Sequence, residues 1–277
     1  MHYPADLPAD IASTVRRALS EDIGKGDLTA ALIDKDANAI AEVISRQEAF
    51  ICGTAWFDQV FKQLDAYVEV NWLVSDGDKI SIDQTLCRIE GPTRAILSGE
   101  RAALNFLQLL SGTTSLTRQY VEQLGDSKTL LLDTRKTIPG LRTAQKYAVA
   151  CGGGKNHRMG LYDAILIKEN HILAAGSIEE AVTQAKKSGH QVEVEVENID
   201  ELKQAMAAGA DSALLDNFSL ESLQQAVKIN AGQCKLEMSG GVEIDTLKRI
   251  AATGVDYISV GALTKHVQAV DYSMRFL

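Results

Sequence analysis

The apolar and polar positions in the first part of the chain change spacing from one stretch to the next. From Ile11 to Leu19 an apolar residue recurs at every fourth position, which predicts an amphipathic helix with one buried face. Alternation with a period of two then predicts strands at 39–45 and 66–74. The segment SDGDKI at 75–80 predicts a turn, because Asp-Gly tolerates positive φ.

A long helical pattern runs from about Thr93 to Leu110. We expect it to end at Ser111-Gly112, because glycine adopts the left-handed conformation that closes many helices. The pattern changes after this point, so the sequence predicts a domain boundary here, with residues 1–111 on one side.

Beyond this boundary, short apolar runs alternate with amphipathic helical segments, which is typical of parallel strands joined by crossover helices. No GxGxxG turn of a dinucleotide-binding sheet accompanies them. The pattern therefore predicts an α/β fold, an incomplete (β/α) barrel preceded by an N-terminal α/β domain of the α+β sandwich type. The six predicted strands are 129–133, 163–168, 192–197, 211–216, 234–238 and 256–260.

Chemically reactive or glycine-rich residues stand at the ends of all six predicted strands. In (β/α) barrels the active site is built at the carboxyl ends of the strands. Neither chance nor the need for a soluble surface accounts for such residues at six consecutive strand ends. The residues concerned are Asp133-Thr134-Arg135-Lys136, Lys168, Glu195 with Glu197, Asp216, Ser239-Gly240-Gly241, and Gly261-Ala262.

Five basic residues are predicted to meet at the barrel mouth, namely Arg135, Lys136, His157, Arg158 and Lys168. Such a group repels itself unless a polyanion occupies it, and arginine forks match carboxylates and phosphates. The alternative is that Lys168 reaches solvent and that His157 is a core histidine with its hydrogen-bond partners satisfied.

Acidic residues on the strand VEVEVEN are predicted to share one face, because successive side chains alternate. At least one of them, with Asp216, would offer oxygen ligands that suit Mg²⁺. An acidic, solvent-facing strand is the alternative. The glycine loops at 238–242 and 260–264 offer free amides to a phosphate, or else are simple tight turns.

Composition narrows the class of protein. The net charge of -9 argues against nucleic-acid and anionic-membrane partners, which need a basic face. No apolar run approaches the length of a bilayer span, and the N-terminus lacks the pattern of a secretory signal. Four scattered cysteines indicate reduced thiols and a cytoplasmic protein rather than a zinc or redox site.

Seven motifs in this order resemble the quinolinate phosphoribosyltransferase family, and the resemblance extends over nearly the whole chain, including EDIGKGDLT at 21–29. Ile138, where many family members have threonine, is the one departure noted within them. The motifs are GERAALNFLQLLSG, DTRKTIPGLR, NHRMGLYDAILIKENH, VEVEVEN, LLDNF, SGGV and VGALT.

The resemblance implies a homodimer, or a higher oligomer, in which Arg101 reaches the partner's active site. It also implies that 265–277 pack on the N-terminal domain, so the predicted domains are 1–111 with 265–277, and 112–264. From the residues alone, Arg101 is a surface residue of a helix.

Residue roles follow from the same resemblance. Arg101, Arg135, His157 and Arg158 match residues that hold two quinolinate carboxylates, with Thr134 and Lys136 beside them. Lys168 matches a lysine near the reacting centre, and Glu195 and Asp216 match an acidic pair near metal and ribose. Glu197 shares the strand face of Glu195. The ribose phosphate is expected at Ser239, Gly240, Gly241 and Gly261.

The implied activity is transfer of phosphoribosyl from phosphoribosyl pyrophosphate to quinolinate with decarboxylation. The products are nicotinate mononucleotide, pyrophosphate and CO₂, for NAD synthesis. Mg²⁺ is the expected cofactor, and no organic cofactor is expected. Two alternatives are a paralogue acting on another aromatic acid, such as a nicotinate-type ring or the related proteins of molybdate uptake, and a non-catalytic sensor of phosphate ligands.

Overall fold

A computed structural model describes residues 5–277. The helices are α1 (Ile11–Ile23), α2 (Thr54–Leu64), α3 (Thr93–Leu124), α4 (Arg142–Cys151), α5 (Glu169–Ala175), α6 (Ile178–Lys186), α7 (Ile199–Ala207), α8 (Leu220–Asn230), α9 (Leu247–Ala251) and α10 (Ala262–Lys265). The strands are β1 (Asn38–Ser45), β2 (Ala49–Phe50), β3 (Glu69–Trp72), β4 (Lys79–Ile80), β5 (Thr85–Pro92), β6 (Leu130–Leu132), β7 (Ile165–Ile167), β8 (Val192–Val196), β9 (Ser212–Asp216), β10 (Lys235–Ser239), β11 (Tyr257–Ser259) and β12 (Tyr272–Phe276).

These elements form two compact units. The first contains the residues up to Arg118 together with 137–153 and 263–277, and the second contains 119–136 and 154–262. Helix α3 passes from the first unit into the second. The domain limits predicted from the sequence stay a prediction.

The first unit is built on an antiparallel sheet in the order β12-β1-β5-β3. Strand β12, from the C-terminal end, pairs with β1 through residues such as Met274 opposite Val43. Aromatic residues of α2, among them Trp56 and Phe57, belong to the same buried cluster as Leu107 of α3. The predicted helix at 11–19, the strand at 39–45 and the Asp-Gly turn are confirmed.

The predicted helix end at Gly112 is wrong. Helix α3 continues through this glycine to Leu124. A Cβ at Gly112 would collide with the carbonyl oxygen of Gln268 and would come within 3.1 Å of Val267. Gly112 therefore lets the backbone of another segment approach the helix closely. The sequence pattern alone does not distinguish a glycine with this role from one that ends a helix.

The second unit contains a six-stranded parallel sheet in the order β6-β11-β10-β9-β8-β7. All six predicted strands and the incomplete barrel are confirmed, with β6 and β7 at the two edges. Side chains at the helix starts cap the crossover helices: Ser177 accepts from the N–H of Glu180, and Asn198 accepts from the N–H groups of Asp200 and Glu201.

Two cysteines that are distant in sequence are neighbours in the first unit. The Sγ atoms of Cys52 and Cys151 and an Asp76 carboxylate oxygen lie within 4.8 Å of one another, and both thiols are free and buried. Burial raises the pKa of the Cys52 thiol well above its usual value. The predicted reduced state agrees with this environment, although sequence spacing had not indicated the pair. Among residues 5–277 no helix is both long and apolar enough to cross a membrane.

Asp58 offers a test of burial in the first unit. Burial raises the pKa of Asp58 to about 6, even though Trp72 Nε1 donates to its carboxylate at 2.7 Å. Since the folded pKa exceeds the unfolded value, stability declines as pH rises from about 4 to about 6. We expect Asp58→Asn to raise the free energy of unfolding by about 1–3 kcal/mol at pH ~7.5 and to have little effect at pH ~4. Denaturant titrations at both pH values measure this, and an equal gain at both would contradict it.

Candidate active site

The carboxyl ends of the parallel strands gather the predicted site residues at one edge of the sheet. Lys168 follows β7, Glu195 lies near the end of β8, and Asp216 is the last residue of β9. Ser239 ends β10, and Gly261 comes two residues after β11. The direct register between β9 and β10 places Asp216 opposite Ser239.

A lysine and two carboxylates form the polar centre of this edge. Lys168 Nζ donates to the Glu195 carboxylate, and Asn217 Nδ2 donates to Asp216 at 2.8 Å. Burial raises the pKa of Asp216, and the negative charge of Glu195 raises it further. The charges of Lys168 and Lys136 oppose this rise. Four predicted residues from four chain segments therefore interact electrostatically.

The acidic face of β8 is graded from buried to exposed. Glu193 is buried, Glu195 is half-buried and Glu197 is exposed. Val192, Val194 and Val196 on the opposite face are fully buried. A wholly solvent-facing acidic strand is therefore excluded. Since Glu195 is the residue that meets Lys168, the structure favours it over Glu197 for the centre of the site.

Two predicted phosphate-loop glycines lie against other predicted site segments. A Cβ on Gly240 would collide with the Asn217 side chain, and the φ of Gly240 is +92°. A Cβ on Gly261 would come within 2.9 Å of Lys136 Cδ and 3.5 Å of Thr134 Oγ1. Gly241 faces open space. Other site segments thus lie against the backbone of these loops on one side, and Gly241 leaves open space on another. A phosphate-binding loop requires such open space beside its backbone.

For the activity that the family resemblance implies, Gly240→Ala is expected to raise the KM for phosphoribosyl pyrophosphate by about tenfold or more, because the added methyl displaces Asn217 and the positive φ is strained. The KM for the ring substrate should change much less. Gly209→Ala is the matched control, since Gly209 also has positive φ (+82°) but no neighbouring atom within 4 Å of the added Cβ. Equal effects of the two variants on KM would contradict the prediction.

Two arginines that were predicted to bind an anion are neighbours. Burial lowers the pKa of Arg158, and the charge of Arg135 lowers it further. Both side chains are half-buried. Two guanidinium groups in partial burial repel each other, so an anion placed between them would be strongly stabilised.

His157 adopts a different environment from Arg135 and Arg158. Its Nε2 lies 2.9 Å from Glu193 and 3.4 Å from Glu237, and its Nδ1 accepts the backbone N–H of Arg158 at 2.8 Å. Burial disfavours the charged ring, but hydrogen bonds to the two glutamates prevail and raise the pKa of His157 to about 10. The ring therefore contacts buried acids as well as the site loop.

Sequence reasoning gave no individual role to three buried acids in this region. Asp133 is fully buried and accepts from Asn156 Nδ2 at 2.7 Å and from the His157 backbone N–H at 2.9 Å. Glu237 is 1% exposed, and Glu193 is 8% exposed. The sequence did contain one signal, which is Glu237 within the short apolar strand CKLEM. An acid is rarely buried inside a barrel unless it has a partner, so this position pointed to a buried polar cluster.

The remaining predicted residues are also located. Thr134 Oγ1 accepts the backbone N–H of Lys136 at 3.1 Å, which shapes the loop after β6. Arg101 is exposed on α3 in the first unit. Its contribution to a partner's site stays a prediction.

The chain is similar to known proteins over most of its length. Models of the quinolinate phosphoribosyl transferase N-terminal and C-terminal domains match residues 27–111 and 113–275. A Bacillus subtilis (strain 168) protein named probable nicotinate-nucleotide pyrophosphorylase (carboxylating) is 44% identical over 257 residues, 92% of this chain and 89% of that protein.

Solved structures agree with these matches. The nicotinate-nucleotide pyrophosphorylase from Francisella tularensis is 50% identical with a TM-score of 0.95, and the match covers 100% of both chains. NadC from Streptococcus pyogenes is 40% identical with a TM-score of 0.94 over 99% of each chain. This chain therefore belongs to the quinolinate phosphoribosyltransferase family.

Proposed function

We propose that this protein is a pentosyltransferase that transfers phosphoribosyl from phosphoribosyl pyrophosphate to quinolinate. Decarboxylation completes the reaction and gives nicotinate mononucleotide, pyrophosphate and CO₂ for NAD synthesis. The observation that carries this proposal is the pair of half-buried arginines, Arg135 and Arg158, in one unit with the Lys168–Glu195–Asp216 centre.

The acceptor is bound through its two carboxylates. Arg135 and Arg158 present guanidinium forks, which pair with carboxylates in a bidentate manner and relieve their mutual repulsion on binding. Thr134, Lys136 and His157 are assigned to the same subsite, each within or next to the loops that carry the arginines. Arg101 of a second copy completes this subsite in a homodimer.

The donor is bound at the glycine loops. Ser239, Gly240, Gly241 and Gly261 offer backbone amides and close approach to the ribose phosphate. Glu195 and Asp216 are close enough for the charge of one to raise the pKa of the other. Two hard carboxylate ligands fit Mg²⁺, which would neutralise charge on the leaving pyrophosphate. No organic cofactor is assigned.

The side chains assigned to the site suit the bonds that break and form in this reaction. As the C1–pyrophosphate bond breaks, positive charge develops on the ribose, and the carboxylates of Glu195 and Asp216 stabilise it. The quinolinate nitrogen forms the new bond to C1 and becomes positively charged. The bond between the ring and the adjacent carboxylate then breaks, the ring carbon keeps the electron pair and takes up a proton, and CO₂ leaves. Lys168, beside Glu195, orients the reacting carboxylate.

We assign the enzyme to the cytoplasm, in keeping with the four free buried thiols of the described chain. Small-molecule substrates are its assigned ligands, with no nucleic acid and no membrane among its partners. The homodimer is tested by sedimentation, and its shared site by mixing inactive Arg101→Ala and Lys168→Ala subunits. Recovery of part of the activity on mixing supports the shared site, and none contradicts it.

The direct test is an assay with quinolinate, phosphoribosyl pyrophosphate and Mg²⁺ that follows nicotinate mononucleotide and CO₂ together. Equal, metal-dependent formation of both is the expected result. Preference for nicotinate in competition with quinolinate and phthalate would favour a paralogue with another acceptor. Ligand binding by calorimetry without turnover would favour a non-catalytic sensor.

A further inference from the structure

Asn217 lies between the two parts of the proposed donor subsite. It follows Asp216, the last residue of β9, and its side-chain Nδ2 donates to Asp216 Oδ2 at 2.8 Å. Its backbone N–H donates to the carbonyl oxygen of Ser239, the last residue of β10, at 2.9 Å. One residue therefore contacts both the acid assigned to the metal and the loop assigned to the ribose phosphate.

The orientation of the Asn217 amide follows from the chemistry of its neighbour. A carboxylate that holds a cation is ionised and can only accept hydrogen bonds, so the amide atom that faces Asp216 is the nitrogen. The amide oxygen then lies against Gly240, where a Cβ would collide with it. The same Cβ would come within 2.7 Å of Asn217 Cγ and 3.0 Å of the Asn217 backbone nitrogen. The backbone of Gly240 therefore closes one side of the amide and restricts its rotation.

The backbone conformation of Asn217 makes its contact with Asp216 possible. Its φ is +55°, a left-handed value that glycine and asparagine adopt more readily than other residues. Side chains of consecutive residues in an extended strand point to opposite faces, so they do not meet. The turn directly after β9 removes this restriction. Glycine would make such a turn equally well, so the turn alone does not account for an amide at this position.

The two acids of the site are held in the same manner. Lys168 Nζ donates to Oε2 of Glu195, and Asn217 donates to Oδ2 of Asp216. Among residues 5–277 no side-chain donor contacts the other oxygen of either carboxylate, so each acid keeps one oxygen for a cation or a substrate. A neutral amide orients Asp216 without adding a second positive charge that would repel a cation.

We infer that Asn217 is a positioning residue of the donor subsite: its amide fixes the carboxylate of Asp216 with Oδ1 free for Mg²⁺, and joins that carboxylate to the Gly240 loop. The inference rests on the proposed function and deepens it. Groups that orient a metal-binding side chain typically contribute about 10- to 100-fold to metal affinity or activity. The effect of Asn217 is expected at the lower end of this range, because Glu195 remains in place.

The competing interpretation is that Asn217 serves only the turn after β9. Asn217→Gly separates the two roles, because glycine adopts positive φ without strain but carries no amide. Asn217→Ala removes the amide and also strains the turn. Asp83→Ala is the control for strain alone, since Asp83 has a φ of +60° and lies exposed in the first unit.

The first experiment is independent of activity. Crystal structures of the wild-type full chain and of Asn217→Gly, both without ligands, are compared at the Asp216 side chain. The wild type is expected to show one rotamer with Asn217 Nδ2 on Oδ2, and Asn217→Gly a different rotamer or more than one. The same single rotamer in both proteins would overturn the inference, whether or not the enzyme accepts quinolinate.

The second experiment measures metal binding without turnover. Mn²⁺ is the probe, and its binding is followed by water-proton relaxation with phosphoribosyl pyrophosphate present and no acceptor. Asn217→Gly should bind Mn²⁺ about tenfold more weakly than the wild type, and Asp83→Ala should bind it equally well. Equal affinity in the wild type and in folded Asn217→Gly would overturn the inference. A wild-type protein that binds neither Mn²⁺ nor phosphoribosyl pyrophosphate would instead refute the proposed function, and the inference with it.

Kinetics separate positioning from the turn. Asn217→Gly should lower kcat by about tenfold and raise the Mg²⁺ concentration for half-maximal activity, while the KM for quinolinate stays within about twofold of wild type. Its melting temperature should stay close to wild type, whereas Asn217→Ala and Asp83→Ala should both melt lower. Wild-type kinetics in Asn217→Gly, with activity lost only in the strained Asn217→Ala, would show that Asn217 serves the turn alone and would overturn the inference.

Discussion

Arg135→Ala is expected to lower kcat/KM for quinolinate by about 10²- to 10⁴-fold, a loss of roughly 3–5 kcal/mol of transition-state stabilisation. The guanidinium of Arg135 is close enough to Arg158 to lower its pKa, so the two form one anion subsite. Without Arg135, a substrate carboxylate loses a bidentate partner in a half-buried place. Steady-state kinetics with quinolinate varied, at saturating phosphoribosyl pyrophosphate, measure the loss.

Arg135→Lys and Arg249→Ala complete this test. Lysine keeps the charge but lacks the planar fork, so it should recover only part of the lost kcat/KM. Arg249 is an exposed arginine of α9, and its replacement should leave the kinetics unchanged. Thermal unfolding of Arg135→Ala should stay close to wild type. Near-normal turnover by folded Arg135→Ala would refute the proposed binding role.

Asp216→Asn is expected to lower kcat by about 100-fold or more and to raise the Mg²⁺ concentration that gives half-maximal activity. The substitution removes the negative charge at the end of β9 while keeping a side chain of similar shape. Lys168 and Lys136 no longer face the negative charge of Asp216, although Lys168 still donates to Glu195. Initial rates measured over a Mg²⁺ titration separate the fall in kcat from the weaker metal dependence.

Asp200→Asn is the matched control for this variant. Asp200 lies on α7, and its side chain is 84% exposed, so its replacement should affect neither kcat nor the Mg²⁺ titration. The proposed metal role of Asp216 fails if Asp216→Asn loses activity but keeps the wild-type Mg²⁺ dependence.

Local patterns in the sequence were sufficient to predict the barrel strands and the polar residues at their ends. Parallel strands buried on both faces are short and apolar, and their carboxyl ends fall at one edge, so side chains such as Lys168, Glu195 and Asp216 are placed together by topology alone. The family resemblance, carried by seven ordered motifs, agreed with the matched domain models.

Features that depend on contacts between distant segments could not be predicted in this way. Gly112 resembled a helix end, yet it lies inside α3 because the backbone of Gln268 approaches it. Cys52 and Cys151 are neighbours despite their separation along the chain. A sequence pattern carries no information on such approaches.

The amino-acid sequence by itself determined the fold class, the family and the set of strand-end residues, because periodicity and motif order are local properties. Only the tertiary structure decided which groups each of these side chains contacts. It turned His157 toward Glu193 and Glu237 and placed Arg135 beside Arg158. The physical reason is that charge repulsion, burial and hydrogen-bond partners depend on distances of a few ångströms between chain segments that only folding brings together.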